Sequence, residues 1–400
     1  MQCYLVGGAV RDQLLGLPVR ERDWVVVGAS AETLLAQGYT QVGRDFPVFL
    51  HPTTHEEYAL ARTERKAAQG HRGFICQATQ QITLVEDLQR RDLTLNAIAQ
   101  AADGTLIDPA GGQADLQQRW LRHVSPAFTE DPLRVLRVAR FAACYAAFDF
   151  RIAPETMALM QAMVTSGELQ QLTPERVWKE TATALCSAAP QRYFAVLQEC
   201  QALQGLFPEL ANLFGIPTHS TGPSVIDSGL ETLQALEQSA RLSDDLAVRC
   251  AVLCRAFGKA RTPKASWPAH PDHEVAALPL IQAFCTRLRV PNHLRELALL
   301  VARVQPLIHQ SPQLSPECLL KLMYTLDVWR RPQRLTQVLL ACRSGILDTT
   351  TTFPPADYLV RCFEALSALH FHDLQPGEHS GPTRQKIVWQ RRLQALQQLS

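Results

Sequence analysis

Near residue 110 the hydrophobic pattern of this chain changes its period, so no single-class fold accommodates it. Before that point short β-rich runs alternate with short helical ones. CYLV and WVVVG read as strands. GAVRDQLLG reads as a short helix closed by Gly16, and SAETLLAQG as a second, with Ser30 as N-cap and Gly38 beyond its end. PVFLH and EEYALART are further strands. ERKAAQGHRGFICQATQQ, polar and rich in glycine and basic residues, reads as a mobile loop of unusual length, a kind that is often functional. Beyond residue 110 the period is almost wholly helical. DPLRVLRVARFAACY, APETMALMQAMV, TPERVWKETATALC and PQRYFAVLQECQAL each have a Pro, Ser or Thr start. FGIPTHSTGPS reads as a domain boundary. A second helical block runs from about Ile226 to Leu347, and TRQKIVWQRRLQALQQLS forms a basic amphipathic helix.

A chain of 400 residues has room for two or three domains. Its 39 basic and 38 acidic residues give a net charge of +1, so bulk charge does not announce a nucleic-acid binder, and only local patches can. None of the 11 cysteines falls in a C-x-x-C pair. Cys250 and Cys254 lie one helical turn apart with no further pair to complete a zinc site, so they read as small apolar residues in a reducing compartment. MQCYLVGGAVRD turns charged after a short apolar run, and no window approaches 18 apolar residues. A cytoplasmic protein without signal peptide or membrane span is expected.

Four segments carry chemistry. LVGGAVRD is a strand, two glycines and a helix start. Gly7 and Gly8 let backbone approach a ligand, and Arg11 sits one turn in, able to grip phosphate. Glu21 and Asp23 are two apart where the WVVV strand begins, and so share a face. They fit either two solvated charges at a strand entrance or a pair that holds two Mg²⁺ ions. EDLQRRDLTLNAIA places Arg90, Arg91 and Asp92 ahead of a helix or strand carrying Asn96, as a charge cluster or as a ribose and triphosphate clamp. EDPLRVLRVARF repeats Arg134, Arg137 and Arg140 every three residues after Asp131, a slanted stripe on one side of a helix. Such a stripe is either a solvated ion-pair face or a group that an anion or a carboxylate must answer. Asp and Arg together can also pair with a base edge.

In this order, LVGGAVRD, an acidic-x-Asp-Trp strand, RRDLTLNA, IDPAGGQADL, EDPLRVLRVARF and TPERVWKE together resemble the class II tRNA nucleotidyltransferases, which include CCA-adding enzymes and bacterial poly(A) polymerases. The first 180 or so residues look like the gammaproteobacterial CCA-adding type, and the resemblance weakens through the helical remainder. The resemblance implies an α+β protein. A polymerase-β-type nucleotidyltransferase head (1–125) would precede an all-helical neck and body with the nucleotide-template helix and RNA-binding region (126–215). An HD-like helical domain (225–347) and a helical tail (348–400) would follow. It implies addition of C, C and A to tRNA 3′ ends from CTP and ATP with Mg²⁺. Glu21 and Asp23 would be catalytic and hold the metals. Gly8 and Arg11 would contact triphosphate, Arg91 the nucleotide and Asp92 the ribose region. Asp131 and Arg134 would read the base, with Arg137 and Arg140 as further nucleotide-binding arginines. Residues 65–81 would form the loop that takes part in switching from C to A. The tRNA would be met at its acceptor and TΨC arms by helical residues, RQKIVWQRRLQAL being one candidate patch, in a monomer or homodimer. Glu57 is a further carboxylate candidate.

Two departures from the family pattern bear on this. Its members carry Asp-x-Asp where this chain has Glu21-x-Asp23, one methylene longer, which predicts altered rate or metal preference. The hallmark LCHDLGK of the HD phosphohydrolase block is here LCRAFGK, with Arg255-Ala256 in place of His-Asp, and Glu231 stands where a histidine is expected. His270, His273 and His309 remain, but without that pair they do not make the site. The expectation is a helical scaffold without hydrolase activity. Poly(A) polymerase and a non-catalytic RNA-binding relative are the alternatives.

Overall fold

The N-terminal alternation builds a seven-stranded sheet. In the computed structural model the described residues are 1–42, 48–66, 74–77, 79–219, 225–346, 352–371 and 381–399. The chain runs β1 (Gln2–Val6), α1 (Gly8–Leu14), β2 (Asp23–Val27), α2 (Ala31–Ala36), β3 (Thr40–Val42), β4 (Val48–Leu50), β5 (Glu57–Leu60), β6 (Thr63–Lys66), β7 (Phe74–Gln77), α3 (Leu84–Gln89), β8 (Ala99–Gln100), β9 (Leu106–Ile107) and α4 (Gly112–Gln118). The strand order is β3-β4-β5-β2-β1-β8-β9. β2 lies mid-sheet, antiparallel to β1 and parallel to β5. Its unbroken valine run follows from burial on both faces. Val25 packs with Val6, Leu88 and Ala97 on one side, and Val26 with Leu34, Phe49 and Tyr58 on the other.

Local signals set the ends of these elements. Ser30 caps α2 through Thr33 N–H. Thr83 and Glu86 form a reciprocal capping box on α3. Part of the expected long loop is not loop: β6 and β7 pair antiparallel, Thr63 opposite Gln77. Residues 67–73 and 78 lie outside the described residues. RRDLTLNA forms neither helix nor strand but a single 3₁₀ turn, Thr94–Asn96.

Helices follow: α5 (Leu133–Cys144), α6 (Pro154–Thr165), α7 (Pro174–Leu185), α8 (Pro190–Glu199), α9 (Leu203–Leu206), α10 (Pro208–Ala211), α11 (Ser228–Leu242), α12 (Leu246–Cys254), α13 (His273–Arg287), α14 (Asn292–His309), α15 (Pro316–Leu326), α16 (Gln333–Arg343), α17 (Pro354–Ser367) and α18 (Gly381–Gln397). The chain packs as two units, residues 1–184 with 192–206, and residues 185–191 with 207–400. The segment read as a boundary, 214–224, therefore lies inside the second unit. Its Pro217–His219 pairs antiparallel with Val225–Asp227.

In the second unit Phe257 meets Phe284 edge-on, and Cys250 and Cys254 are buried and unpaired among apolar side chains. The basic helix α18 is docked rather than merely solvated. The Arg392 guanidinium lies 3.6 Å from the Trp329 ring centre and donates to Tyr324 Oη, while Trp389 stacks on Tyr324. That arginine is therefore engaged within the protein. No helix among the described residues is long and apolar enough to cross a membrane.

Candidate functional site

Strand directions gather the first residues of the site. β1 ends at Val6, opposite Asp23, the first residue of β2, and Asp23 lies beside Glu57, the first residue of β5. One antiparallel and one parallel pairing thus bring a strand end and two strand starts to one edge. The chain turns there at Gly7, with φ +68°. A Cβ at Gly7 would come within 2.9 Å of Arg91 Nη1, so glycine permits both the left-handed turn and the arginine against it.

The basic side chains are held individually. Arg11 donates to Asn96 Oδ1 at 2.6 Å and to Asp12 at 2.8 Å, and its guanidinium lies over Phe141 and Tyr145. Arg91 and Arg90 both pair with the fully buried Asp87. Burial would raise the Asp87 carboxyl, but the two arginines outweigh it and hold it low. Asp92 accepts from Arg137 Nε at 2.7 Å, Asn96 Nδ2 at 2.9 Å and Leu93 N–H at 2.8 Å. These overcome its burial and hold it well below the usual carboxylate range.

On α5 the apolar residues Leu133, Val135, Leu136, Val138 and Phe141 are buried, which fixes the rotation of the helix. Arg134, Arg137 and Arg140 then reach one cavity. The stripe is answered by protein groups: Arg137 by Asp92, Arg140 by Glu180 at 2.6 Å, and Arg134 by the carbonyls of Ala127 and Arg90, both at 2.6 Å. Asp131 accepts from Leu133 N–H at 3.0 Å and from Arg176 at 2.8 Å. Asp131 and Arg134, neighbours at the start of α5, therefore have fixed orientations, which suits them to edge-on hydrogen bonding with a planar ligand.

The ten residues given roles at the nucleotide site by the resemblance, Gly8, Arg11, Glu21, Asp23, Arg91, Asp92, Asp131, Arg134, Arg137 and Arg140, all line this cavity of about 690 Å³. Glu57 lines it too. Sequence reasoning passed over Arg176 and Glu180. They sit four apart in TPERVWKE, on one face of α7, and that spacing was the available signal. Asn96, which links Arg11 to Asp92, was noticed without a role.

Glu21 and Asp23 form the acidic wall. The Asp23 carboxyl is raised by burial and by the Glu21 charge, against the pull of Arg91. A carboxylate raised chiefly by burial, with a like charge beside it, is one that a divalent cation would relieve. No group of three or more His, Cys, Asp or Glu residues placed to hold a metal occurs among the described residues. A pair nevertheless suffices for Mg²⁺, which usually takes one or two carboxylates with water and substrate phosphate for the rest.

In the second unit Glu231, on α11, accepts from Lys259 Nζ at 2.8 Å and lies 3.4 Å from Arg255 Nη2. Burial would raise its carboxyl, and the two cations more than offset this and lower it. Two cations thus occupy the surroundings of Glu231, the position where the resemblance placed a metal ligand.

Residues 3–122 match the family model for the poly A polymerase head domain, and residues 149–214 the one described as a probable RNA and SrmB-binding site of polymerase A. Among solved structures the fold is similar to a CCA-adding enzyme in complex with ATP (TM-score 0.65, 20% identity, covering 99% of this chain and 86% of that one). It is similar to a CCA-adding enzyme in complex with CTP (TM-score 0.63, 20% identity, 99% and 87%). It is also similar to the Thermotoga maritima CCA-adding enzyme in complex with tRNA (TM-score 0.64, 19% identity, 99% and 87%). Residues 3–122 therefore match a poly A polymerase head domain and residues 149–214 a probable RNA-binding segment of that polymerase, and the chain has the fold of the CCA-adding enzymes.

Proposed function

We propose that this protein adds C, C and A to the 3′ end of tRNA from CTP and ATP, without a nucleic-acid template and with release of pyrophosphate. One observation carries the reading. A single cavity holds a carboxylate pair on one wall and, at the start of α5, an Asp131 and Arg134 that the protein itself orients.

In this reading the RNA 3′-hydroxyl attacks the α-phosphate in line, and pyrophosphate leaves. Gly8 and Arg11 meet the triphosphate. Arg91 contacts the nucleotide, and Asp92 holds Arg137 beside the ribose. Asp131 offers an acceptor and Arg134 a donor to the base edge, while Arg140 adds positive charge. Glu21 and Asp23 would hold Mg²⁺, which when bound neutralises phosphate charge and acidifies the attacking hydroxyl. Glu21, longer than aspartate, reaches the same region from outside the strand. RNA is held by the helical parts through the acceptor and TΨC arms. The division into 1–125, 126–215, 225–347 and 348–400 describes the roles of head, template and RNA-binding body, HD-like scaffold and tail. That scaffold works without phosphohydrolase activity.

The test supplies tRNA ending before CCA with labelled CTP and ATP, separately and together. Addition that stops after CCA supports the reading. Continuous A addition identifies a poly(A) polymerase, and RNA binding without incorporation identifies a non-catalytic relative.

A further inference from the structure

The second unit contains its own cavity of about 530 Å³, within the size range of small-molecule sites. Its charge is unbalanced. Arg255 and Lys259 line it, 4% and 9% exposed, and both lean on Glu231. Their other contacts are neutral: Arg255 donates to the Ala341 carbonyl at 3.0 Å, and Lys259 to Thr218 Oγ1 at 3.1 Å. His273 and His309 also line the cavity. Burial lowers both imidazoles, so neither adds a fixed charge near neutral pH. Glu274, 3.4 Å from His273 Nδ1, acts on that ring from beside the cavity.

Two buried cations facing one carboxylate leave a positive charge in a poorly solvated space, a cost that a bound anion removes. The space is built for the guanidinium: a Cβ at Gly345 would come within 2.7 Å of Arg255 Nη2. The opposite character is also present. Ile346, Phe353, Pro354 and Pro355 give the cavity an apolar wall, and the His309 ring stands edge-on to Phe353.

We infer that this cavity is a binding site for a phosphate-bearing small molecule of nucleoside monophosphate size, its phosphate on Arg255 and Lys259 and its ring system against Phe353 and the two prolines. Charge-assisted hydrogen bonds supply the affinity and the apolar wall the selectivity. The inference is independent of the function proposed for the first unit.

Hydrogen exchange by mass spectrometry on the full-length protein separates this cavity from the other by peptide position. Inorganic phosphate and AMP are the probes. AMP should slow exchange in the peptides spanning 228–262 at lower concentration than phosphate does. Lys259→Met should weaken this local protection by about tenfold or more, and Glu231→Gln, which removes the competing carboxylate, should strengthen it. Absence of protection at this cavity in the native protein with millimolar AMP, or equal protection in folded Lys259→Met, overturns the inference. If Lys259→Met does not fold, Glu231→Gln decides, and unchanged or weaker protection overturns it.

Discussion

In the cavity of the first unit each arginine of the helix stripe has a separate partner: Asp92 for Arg137, Glu180 for Arg140, two carbonyls for Arg134. In the cavity of the second unit Arg255 and Lys259 share Glu231. The first arrangement gives Arg137 and Arg140 a carboxylate each and satisfies Arg134 with neutral carbonyls, and it keeps a separate carboxylate pair, Glu21 and Asp23, on another wall. The second leaves a net cation. Similar residue types thus give one surface suited to a metal with a nucleotide and another suited to an anion alone. The partner count around each arginine, more than the number of arginines, decides the sign.

The sharpest way to break this contrast is Asp23→Asn. It should lower CTP and ATP incorporation on the order of 10²–10³-fold, as loss of a major electrostatic stabiliser does, while Lys259→Met should leave incorporation unchanged. Because burial raises the metal-free Asp23 carboxyl, protons and Mg²⁺ should compete for it, so lowering the pH should raise the Mg²⁺ concentration needed for half-maximal incorporation. A Mg²⁺ requirement that does not change with pH would remove Asp23 from metal binding.

Next comes base choice. Asp131→Ala should shift the ratio of correct to incorrect nucleotide by about 10- to 100-fold, the worth of one paired base edge. Arg176→Ala acts through Asp131, so it should give a smaller loss, about tenfold, seen chiefly as a raised KM for the nucleotide. Equal effects of the two on kcat and KM would mean that Arg176 touches substrate itself.

Stability in acid compares the units directly. Asp92 and Glu231 are both depressed when folded. Each therefore stabilises fully above the unfolded carboxyl range and loses that contribution as pH falls through its folded value. Asp92→Asn and Glu231→Gln should each flatten the loss of stability below about pH 4, by about 1–3 kcal/mol. Urea unfolding followed between neutral and acid pH measures it, and an unaltered acid slope in either variant would show that the ion pair contributes nothing there. The smallest effect belongs to Glu21→Asp, within about threefold of the native rate, since the charge is kept and Mg²⁺ takes most of its ligands from water and substrate phosphate. A near-inactive native protein rescued by this change would show instead that Glu21 had closed the site.

What the sequence made legible follows from range. The glycine turn and the three-residue arginine repeat are local and keep their meaning in the fold, whereas Glu21 and Asp23 share the cavity although Glu21 lies before β2 and not on its face. The change of period near residue 110 likewise located the sheet and the helices. The partners were not legible. Asp92 and Arg137, Asp131 and Arg176, Arg140 and Glu180 are 40 to 45 residues apart. Nothing in a local pattern selects one carboxylate over another at that distance. The same limit applied to the Arg255-Ala256 departure. The resemblance put Arg255-Ala256 where a His-Asp pair is expected, but only packing showed that Lys259 and Arg255 converge on Glu231.

Arg392, clasped between Trp329 and Tyr324, bears on how the tail can be cut. Trypsin must draw an arginine side chain out full length into its own pocket, and this one is held against rings on the protein. Cleavage after Arg392 therefore requires α18 to leave its seat first. The rate of that single cut, followed against temperature or denaturant, becomes a clock for how often the end of the second unit opens.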